Sequence, residues 1–319
     1  MNQPLAVGID IGGTNTAFGI VDHRGNILEH GTISNKKYKD ITVYMDTLYK
    51  HLMPLIEKSE GNILGIGVGA PNGNFYQGSI EFAPNLPWRG IIPLGNMLKE
   101  RFSLPVQVTN DANAAAEGEL TFGVAKGMKN FIMITLGTGL GSGIVINGNL
   151  VYGHDGFAGE LGHVIVEKDG RLCGCGRNGC LETYVSATGI VRTTRKLLRN
   201  QKTDSVLRDI SPDALNSKDI SEAAAKGDVL AIEAIDYTAR IFGKALANFI
   251  AFSAPEAIIL FGGLARAGKI IIGPTKRYMN ENVLQIWKDK VKLIRSELNE
   301  DDAAILGASA LVWEMEGDT

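Results

Sequence analysis

The sequence predicts an α/β fold built from two copies of one unit with a cleft between the halves, and three observations predict it. Apolar runs of strand length alternate with longer segments whose apolar residues recur at helical spacing. Glycine turns punctuate both halves at corresponding places in the order of elements. A length of 319 residues exceeds what one core ordinarily organises.

Residues 5–9, 16–21 and 25–33 read as three short strands that turn at Gly12-Gly13 and around Asp22, an antiparallel meander. Asp40 can cap a helix in which Ile41, Met45, Leu48, Leu52 and Ile56 share a face, with Pro54 expected to kink or end it. A buried strand at 63–68 leads into the turn Gly69-Ala70-Pro71-Asn72-Gly73. A polar loop, a helix near 93–101 and a strand at 106–109 follow. Asn110-Asp111 closes that strand, and the small residues 112–118 start a helix.

The order restarts after Asn130. Strands at 131–136 and 142–147 flank a glycine turn, and a third strand is expected at 164–167. Helices at 184–199 and 228–253, a strand at 257–261 ending on Gly262-Gly263 with a helix opening after it, a strand at 291–294 and a helix at 303–313 complete the series. Asp10-Ile11-Gly12-Gly13-Thr14 corresponds to Thr135-Leu136-Gly137-Thr138-Gly139, and the turn at Gly69 to Gly262-Gly263. The helix start after Asp111 matches the one after Asp302. The pattern reads as two β-β-β-α-β-α-β-α units: a small domain of 1–112 with 303–319, and a larger one of 113–302.

Composition excludes more than it assigns. Apolar residues make up 45% of the chain and the formal net charge is -3, so nothing draws it toward nucleic acid. The longest apolar run, 131–146, is broken by Gly137, Gly139, Gly141 and Gly143 and reads as strand, turn, strand rather than a membrane span. Residues 1–10 lack the basic segment and apolar core of a secretion signal, and a cytoplasmic protein is expected. A glycine turn that begins so early leaves no expected room for a DNA-reading domain ahead of it.

Two glycine turns, each joining a pair of strands, present backbone N–H groups without side-chain obstruction, as a polyphosphate needs. Neither is a Walker A loop, because no Gly-Lys-Ser/Thr follows, and both lead into strands rather than helices. Either alone could be an ordinary tight hairpin. Two related turns with Asp10, Thr14, Thr135 and Thr138 beside them point to a nucleoside triphosphate, and Asp10 can hold Mg2+ through water. Gly262-Gly263 would let an adenosine lie against bare backbone. Asp111 is either a helix N-cap or a cleft-facing carboxylate. A carboxylate there could orient a hydroxyl and take its proton late in phosphoryl transfer.

Cys173, Cys175 and Cys180 are the only cysteines, and they lie in a glycine-rich stretch with His163 ahead of them. C-x-C-x4-C with a leading His supplies the four ligands of a closed tetrahedral Zn2+ site. A disulfide would leave one thiol odd, and packing cysteines do not cluster among glycines. A metal clamped here would hold Glu160, His163 and Glu182 as a rigid set of donors and acceptors suited to a ring of hydroxyls, a sugar; solvated surface charges are the alternative.

In these motifs the chain resembles the ROK family of bacterial sugar kinases and repressors over nearly its whole length. Asp10 to Thr14 resembles the first phosphate motif, 137–143 the second, Asn110-Asp111 the sugar and catalytic pair, 159–163 with 173–182 the zinc and sugar signature, and Gly262-Gly263 the adenosine motif. The resemblance implies an actin-like ATPase (ribonuclease H-like) fold, a closing cleft and a homodimer. It implies that Asn110, Asp111, Glu160, His163 and Glu182 bind a hexose, joined by Asn85 of Pro84-Asn85-Leu86-Pro87-Trp88. By the same resemblance Asp111 is the base, His163 and the three cysteines hold structural Zn2+, and ATP with Mg2+ is held at Asp10, Gly12, Gly13, Thr14, Thr135, Gly137, Thr138, Gly139, Gly262 and Gly263. The implied reaction transfers the γ-phosphate to a sugar 6-hydroxyl. Glucose leads, with N-acetylmannosamine, N-acetylglucosamine, fructose, mannose and allose open. Rival readings are a non-catalytic sugar sensor and an ATPase of the wider actin-like class acting on proteins. Asn15 stands where many glucokinases of the family have Lys.

Overall fold

The computed structural model describes residues 3–317. Strands β1 (Pro4–Ile11), β2 (Asn15–Asp22) and β3 (Ile27–Ser34) form the expected meander. Helix α1 (Ile41–Lys58), strand β4 (Asn62–Ala70), the short strands β5 (Gly73–Asn74), β6 (Ser79–Glu81) and β7 (Ile91–Ile92), helix α2 (Leu94–Phe102), strand β8 (Val106–Asn110) and helix α3 (Asp111–Thr121) follow. The sheet runs β3-β2-β1-β4-β8, with β4 parallel to β1 and β8 parallel to β4. β1 is apolar on both faces because it is central. β3, at the edge, alternates half-buried and exposed positions over most of its length.

α1 begins as expected, with the Asp40 side chain accepting from Thr42 N–H at 2.7 Å. It buries Tyr44, Met45, Leu48 and Leu52 against the sheet. Of the kink or end expected at Pro54, the end does not occur, and the helix continues to Lys58. Pro54 and Lys50 lie on the exposed face, so water can satisfy the Lys50 carbonyl that loses its partner.

The second series repeats the order. Strands β9 (Phe131–Leu136), β10 (Leu140–Ile146) and β11 (Asn149–Leu150), helices α4 (Ala187–Asn200), α5 (Ser217–Ala225) and α6 (Val229–Ser253), strand β12 (Ala257–Phe261), helix α7 (Lys269–Asn282), strand β13 (Lys292–Arg295) and helix α8 (Glu300–Gly317) give a sheet ordered β11-β10-β9-β12-β13. Its two parallel pairs, β9 with β12 and β12 with β13, match those of the first sheet. The third strand is not 164–167, as expected, but β11. Asn147 and Gly148 both adopt positive φ, 55° and 85°, and reverse the chain at once in the tight hairpin an Asn-Gly pair favours. Residues 164–167 instead belong to the cysteine loop, where Ile165 forms a single bridge to Cys180. The helix expected from residue 184 starts at Ala187, because Leu181–Thr183 form a 3₁₀ turn and Ser186 supplies the cap. Helix α5 was not legible; the helix expected after Gly262-Gly263 corresponds to α7, which starts only at Lys269 and contains Pro274. No helix among the described residues is long and apolar enough to cross a membrane.

The chain divides into two compact units. One comprises Met1–Met128, Leu150–Gly159 and Glu297–Thr319; the other Lys129–Asn149 and Glu160–Ser296. This division differs from the sequence expectation for α3, which was assigned to the larger half. α3 packs against α8 where two glycines meet: a Cβ on Gly118 would lie 2.9 Å from the Gly307 Cα. α8 also lies directly on the first sheet. Cβ atoms on Gly8 and Gly67 would stand 2.1 Å from the Ile305 carbonyl oxygen and 1.9 Å from that of Ala308. Gly67→Ala is therefore expected to destabilise the first unit by about 3 kcal/mol, seen as a lowered thermal midpoint, because helix backbone has to move rather than a side chain.

Candidate active site

In the first unit, β1 and β2 are joined by Gly12, Gly13 and Thr14. Gly12 N–H closes the turn on the Asn15 carbonyl at 2.9 Å. The N–H groups of Gly13 and Thr14 have no protein acceptor among the described residues, which leaves two adjacent donors at an exposed tip. A buried side chain missed by sequence reasoning fixes this tip from below. Asn35 donates from Nδ2 to the Gly12 carbonyl at 2.6 Å and from its backbone N–H to the Thr14 carbonyl at 2.8 Å. Its Oδ1 accepts from Thr16 Oγ1 at 2.7 Å, and Thr16 meets the Tyr44 hydroxyl at 2.8 Å. With the Gly12 carbonyl tied inward, the Gly13 N–H of the same planar peptide unit faces out. If this turn holds the phosphates that the resemblance implies, Asn35→Ala is expected to raise the KM for ATP about tenfold with little change in that for sugar, since one unpaired buried carbonyl costs about 1–3 kcal/mol. Separate KM measurements check this.

Asp10 ends β1 and Asp111 follows β8, with Gly69 of β4 between them. A Cβ on Gly69 would lie 3.6 Å from the Asp111 Cα and 3.7 Å from Asp10 Oδ1. The cap of α3 is Asn110, not Asp111. Asn110 Oδ1 accepts from Ala112 N–H at 2.7 Å and Asn113 N–H at 3.4 Å, leaving its Nδ2 as a donor. Asp111 Oδ1 shares the Ala112 N–H at 2.8 Å, and the carboxylate also draws on its own backbone N–H. Solvent reaches Asp111, yet protein surrounds it closely enough that desolvation pushes its carboxyl above the usual range against the pull of the Ala112 N–H. Desolvation and then the Asp111 carboxylate push Asp10 up to about 7. Asn85 lies beside the hairpin: a Cβ on Gly13 would meet the Asn85 carbonyl oxygen at 3.2 Å and its Cβ at 3.3 Å. Its loop is held by buried Leu86 and Trp88. Trp88 lies 4.4 Å from the Tyr44 ring, centroid to centroid, and donates to the Tyr38 carbonyl at 3.1 Å. Asp10, Gly12, Gly13, Thr14, Asn85, Asn110 and Asp111 are thus gathered at the carboxyl ends of β1, β4 and β8 in the first sheet.

In the second unit, Gly137, Thr138 and Gly139 join β9, where Thr135 lies, to β10. The Gly137 carbonyl accepts from Ala187 N–H at 2.9 Å and the Thr138 carbonyl from Thr188 Oγ1 at 2.8 Å, both on the first turn of α4. The N–H groups of Thr138 and Gly139 have no protein acceptor among the described residues, as in the first hairpin. Gly262, with φ of 95°, ends β12 next to β9. A Cβ there would press the Leu136 carbonyl oxygen at 2.8 Å, whereas Gly263 opens onto free space. The element after this pair is a 3₁₀ turn, Ala265–Ala267, before α7, rather than the helix start the sequence suggested.

Glu182 touches more than the sequence indicated. One carboxylate oxygen accepts from Leu140 N–H at 3.0 Å, at the base of the second hairpin, and the other lies 3.5 Å from Cys173 Sγ. A Cβ at position 139 would run into Glu182 Oε2, so a larger residue there would displace this carboxylate. The turn Leu161–His163 lies against β10, with Gly162 over the Leu140 carbonyl and Leu161 N–H bonded to Ser142 Oγ at 3.1 Å.

One ligand atom from each of His163, Cys173, Cys175 and Cys180 lies within 4.8 Å of every other. Cys173 Sγ is 3.7 Å from His163 Nδ1, and the Cys175 and Cys180 sulfurs are 3.7 Å apart. A tetrahedron with metal–sulfur bonds of about 2.3 Å has edges of about 3.8 Å, so the set fits Zn2+. A short hairpin carries the thiols: Cys173 N–H bonds the Arg177 carbonyl at 2.9 Å, and Gly176 N–H the Cys173 carbonyl at 3.0 Å. With Nδ1 turned to the sulfurs, His163 Nε2 faces Glu160, 4.0 Å from Oε2.

Twin five-stranded sheets of the same order, each with an exposed glycine hairpin on its central antiparallel pair, define the actin-like ATPase class. The ROK family profile matches residues 6–315, and the chain belongs to that family. A glucokinase of Halalkalibacterium halodurans is 37% identical over 99% of this chain and 97% of its own. A xylose repressor of Caldicellulosiruptor bescii is 31% identical over 96% of this chain and 77% of its own. The crystal structure of a ROK family glucokinase from Streptomyces griseus in complex with glucose and AMPPNP superposes with a TM-score of 0.81 at 34% identity, covering 97% of this chain and 99% of that one.

Proposed function

We propose that the protein is an ATP-dependent glucokinase that transfers the γ-phosphate of Mg-ATP to the 6-hydroxyl of glucose. The observation that carries the reading is Asp111: its neighbour Asn110 caps α3, so the Asp111 carboxylate is left to a substrate hydroxyl. Likeness to glucokinases over nearly the full chain supports the same reading.

In this reading the free N–H groups of Gly13, Thr14, Thr138 and Gly139 receive phosphate oxygens, and the bare backbone at Gly262-Gly263 receives adenosine. Mg2+ held through water by Asp10 would neutralise phosphate charge. Asn85, Asn110 through Nδ2, Glu160, His163 through its Nε2 side and Glu182 hold sugar hydroxyls. Asp111 orients the 6-hydroxyl and takes its proton as the bond to phosphorus forms. Zn2+ on His163, Cys173, Cys175 and Cys180 would be structural and close the loop. Three thiols gathered at one site rather than paired suit a reducing compartment, and a cytoplasmic homodimer is part of the proposal.

ADP release with a panel of hexoses and N-acetylhexosamines tests it. Glucose is expected to give the highest kcat/KM, and N-acetylmannosamine or fructose in first place would move the assignment within the family. Likeness to a xylose repressor favours one other reading, a sugar-binding regulator without turnover. Sugar binding with no sugar-dependent ADP release would select it.

A further inference from the structure

Helix α4 carries Arg192, Arg195, Lys196 and Arg199 at i, i+3, i+4 and i+7, the spacing that usually buries an apolar stripe. Here that stripe is cationic and lines a cavity of about 750 Å³, with Arg171 and Arg208 on its other walls. Six cations face one carboxylate, Asp213, in a chain whose net charge is -3. None of the four α4 cations forms an ion pair among the described residues. Arg195 Nε is enclosed without an acceptor.

The two remaining cations are structural. Arg208 donates to the carbonyls of Leu198 at 3.0 Å and Gln201 at 2.7 Å, fixing the wall that presents Leu207, Ile210 and Leu215. Arg171 donates to the carbonyls of Thr183 at 2.7 Å and Gly189 at 3.0 Å and to Thr193 Oγ1 at 2.8 Å. Like charges gathered around one cavity without counter-ions repel one another, and an anion seated among them lowers that free energy. The volume lies within the range of about 300–1,000 Å³ typical of small-molecule sites. The apolar wall selects an organic anion over an inorganic one, and the concave shape disfavours a nucleic-acid backbone.

We propose that this cavity is a second ligand site, for a small organophosphate carrying two or more negative charges, and that Arg171 couples it to the cysteine loop. Arg171 precedes Cys173 by two residues and holds the carbonyl next to Glu182. An occupant that draws its guanidinium inward therefore shifts the segment bearing both. The site stands apart from the phosphoryl-transfer reading and survives if that reading fails.

Calorimetric titration of the zinc-loaded full chain with phosphoenolpyruvate, 3-phosphoglycerate and fructose 1,6-bisphosphate, with inorganic phosphate for comparison, tests it. At least one organophosphate is expected to bind at least about tenfold more tightly than phosphate and to weaken as salt is raised. Arg195→Gln with Lys196→Gln and Arg199→Gln should lose that affinity by about tenfold or more. Lys196→Glu with Arg199→Glu, both at exposed positions, gives the same answer should the triple variant fold poorly. Slower hydrogen exchange in 171–189 on binding, absent in the variants, is the signature of coupling through Arg171. No binding by the panel at millimolar concentration, or binding unchanged in both variants, overturns the site. Binding without the exchange signature overturns the coupling.

Discussion

Asp111→Asn is expected to lower kcat for glucose phosphorylation by about 10³-fold while leaving sugar affinity within about threefold. The substitution is nearly silent structurally. Asn110 remains the cap of α3, and an amide oxygen at position 111 can share the Ala112 N–H as the carboxylate does. What it removes is the basicity that the proposed role in proton transfer needs. The pH profile supplies an independent readout. As the proposed base, Asp111 would act only when ionised, and desolvation raises its pKa, so kcat/KM should fall as pH drops through values above the ordinary carboxylate range. Asp10, pushed up to about 7, titrates with it, and the limb belongs to the pair rather than to either residue. Turnover within about tenfold of the unmodified enzyme would remove Asp111 as the base, and an acid limb at the ordinary value of a free carboxylate would remove the electrostatic account.

Which features could be read from the sequence follows from how local their causes are. The metal set was legible because spacing alone brings three thiols and an imidazole together, and the two hairpins because glycine marks a bare turn. Asn35 was invisible: its partners Gly12, Thr14 and Thr16, and Tyr44 behind Thr16, are scattered, joined only once the meander and α1 have formed. Gly8 and Gly67 look like ordinary strand glycines until α8, from the far end of the chain, lies across them. The misplaced third strand has a similar origin. Residues 164–167 have strand composition, but the Asn147-Gly148 reversal had already supplied β11. Asn110 and Asp111 are both good caps, and only the hydrogen bond to Ala112 and Asn113 decides between neighbours.

Removing the cation from the cysteine loop should act on the sugar rather than on the fold. Cys180→Ser, or chelation of the intact protein, is expected to abolish bound zinc and raise the KM for glucose by more than about tenfold, with a smaller change in kcat. Without the metal, three thiols and an imidazole are left crowded together, and burial already pushes Cys173 and Cys180 toward their protonated forms. The hairpin then has only a few backbone bonds and the Arg171 contacts to hold it. His163 loses the anchor at Nδ1 that turns Nε2 toward Glu160, and Glu182 loses the order of its Cys173 neighbour. The core of the unit lies elsewhere, around Phe242, Leu246 and Ile250 of α6 against Ile132, Ile134, Ile258 and Leu260, so helical content by circular dichroism should change little. Glu182 also ties the loop to the second hairpin through Leu140 N–H, so a smaller rise in the KM for ATP should accompany the first. A protein shown to be free of zinc with both KM values unchanged would separate the loop from the site.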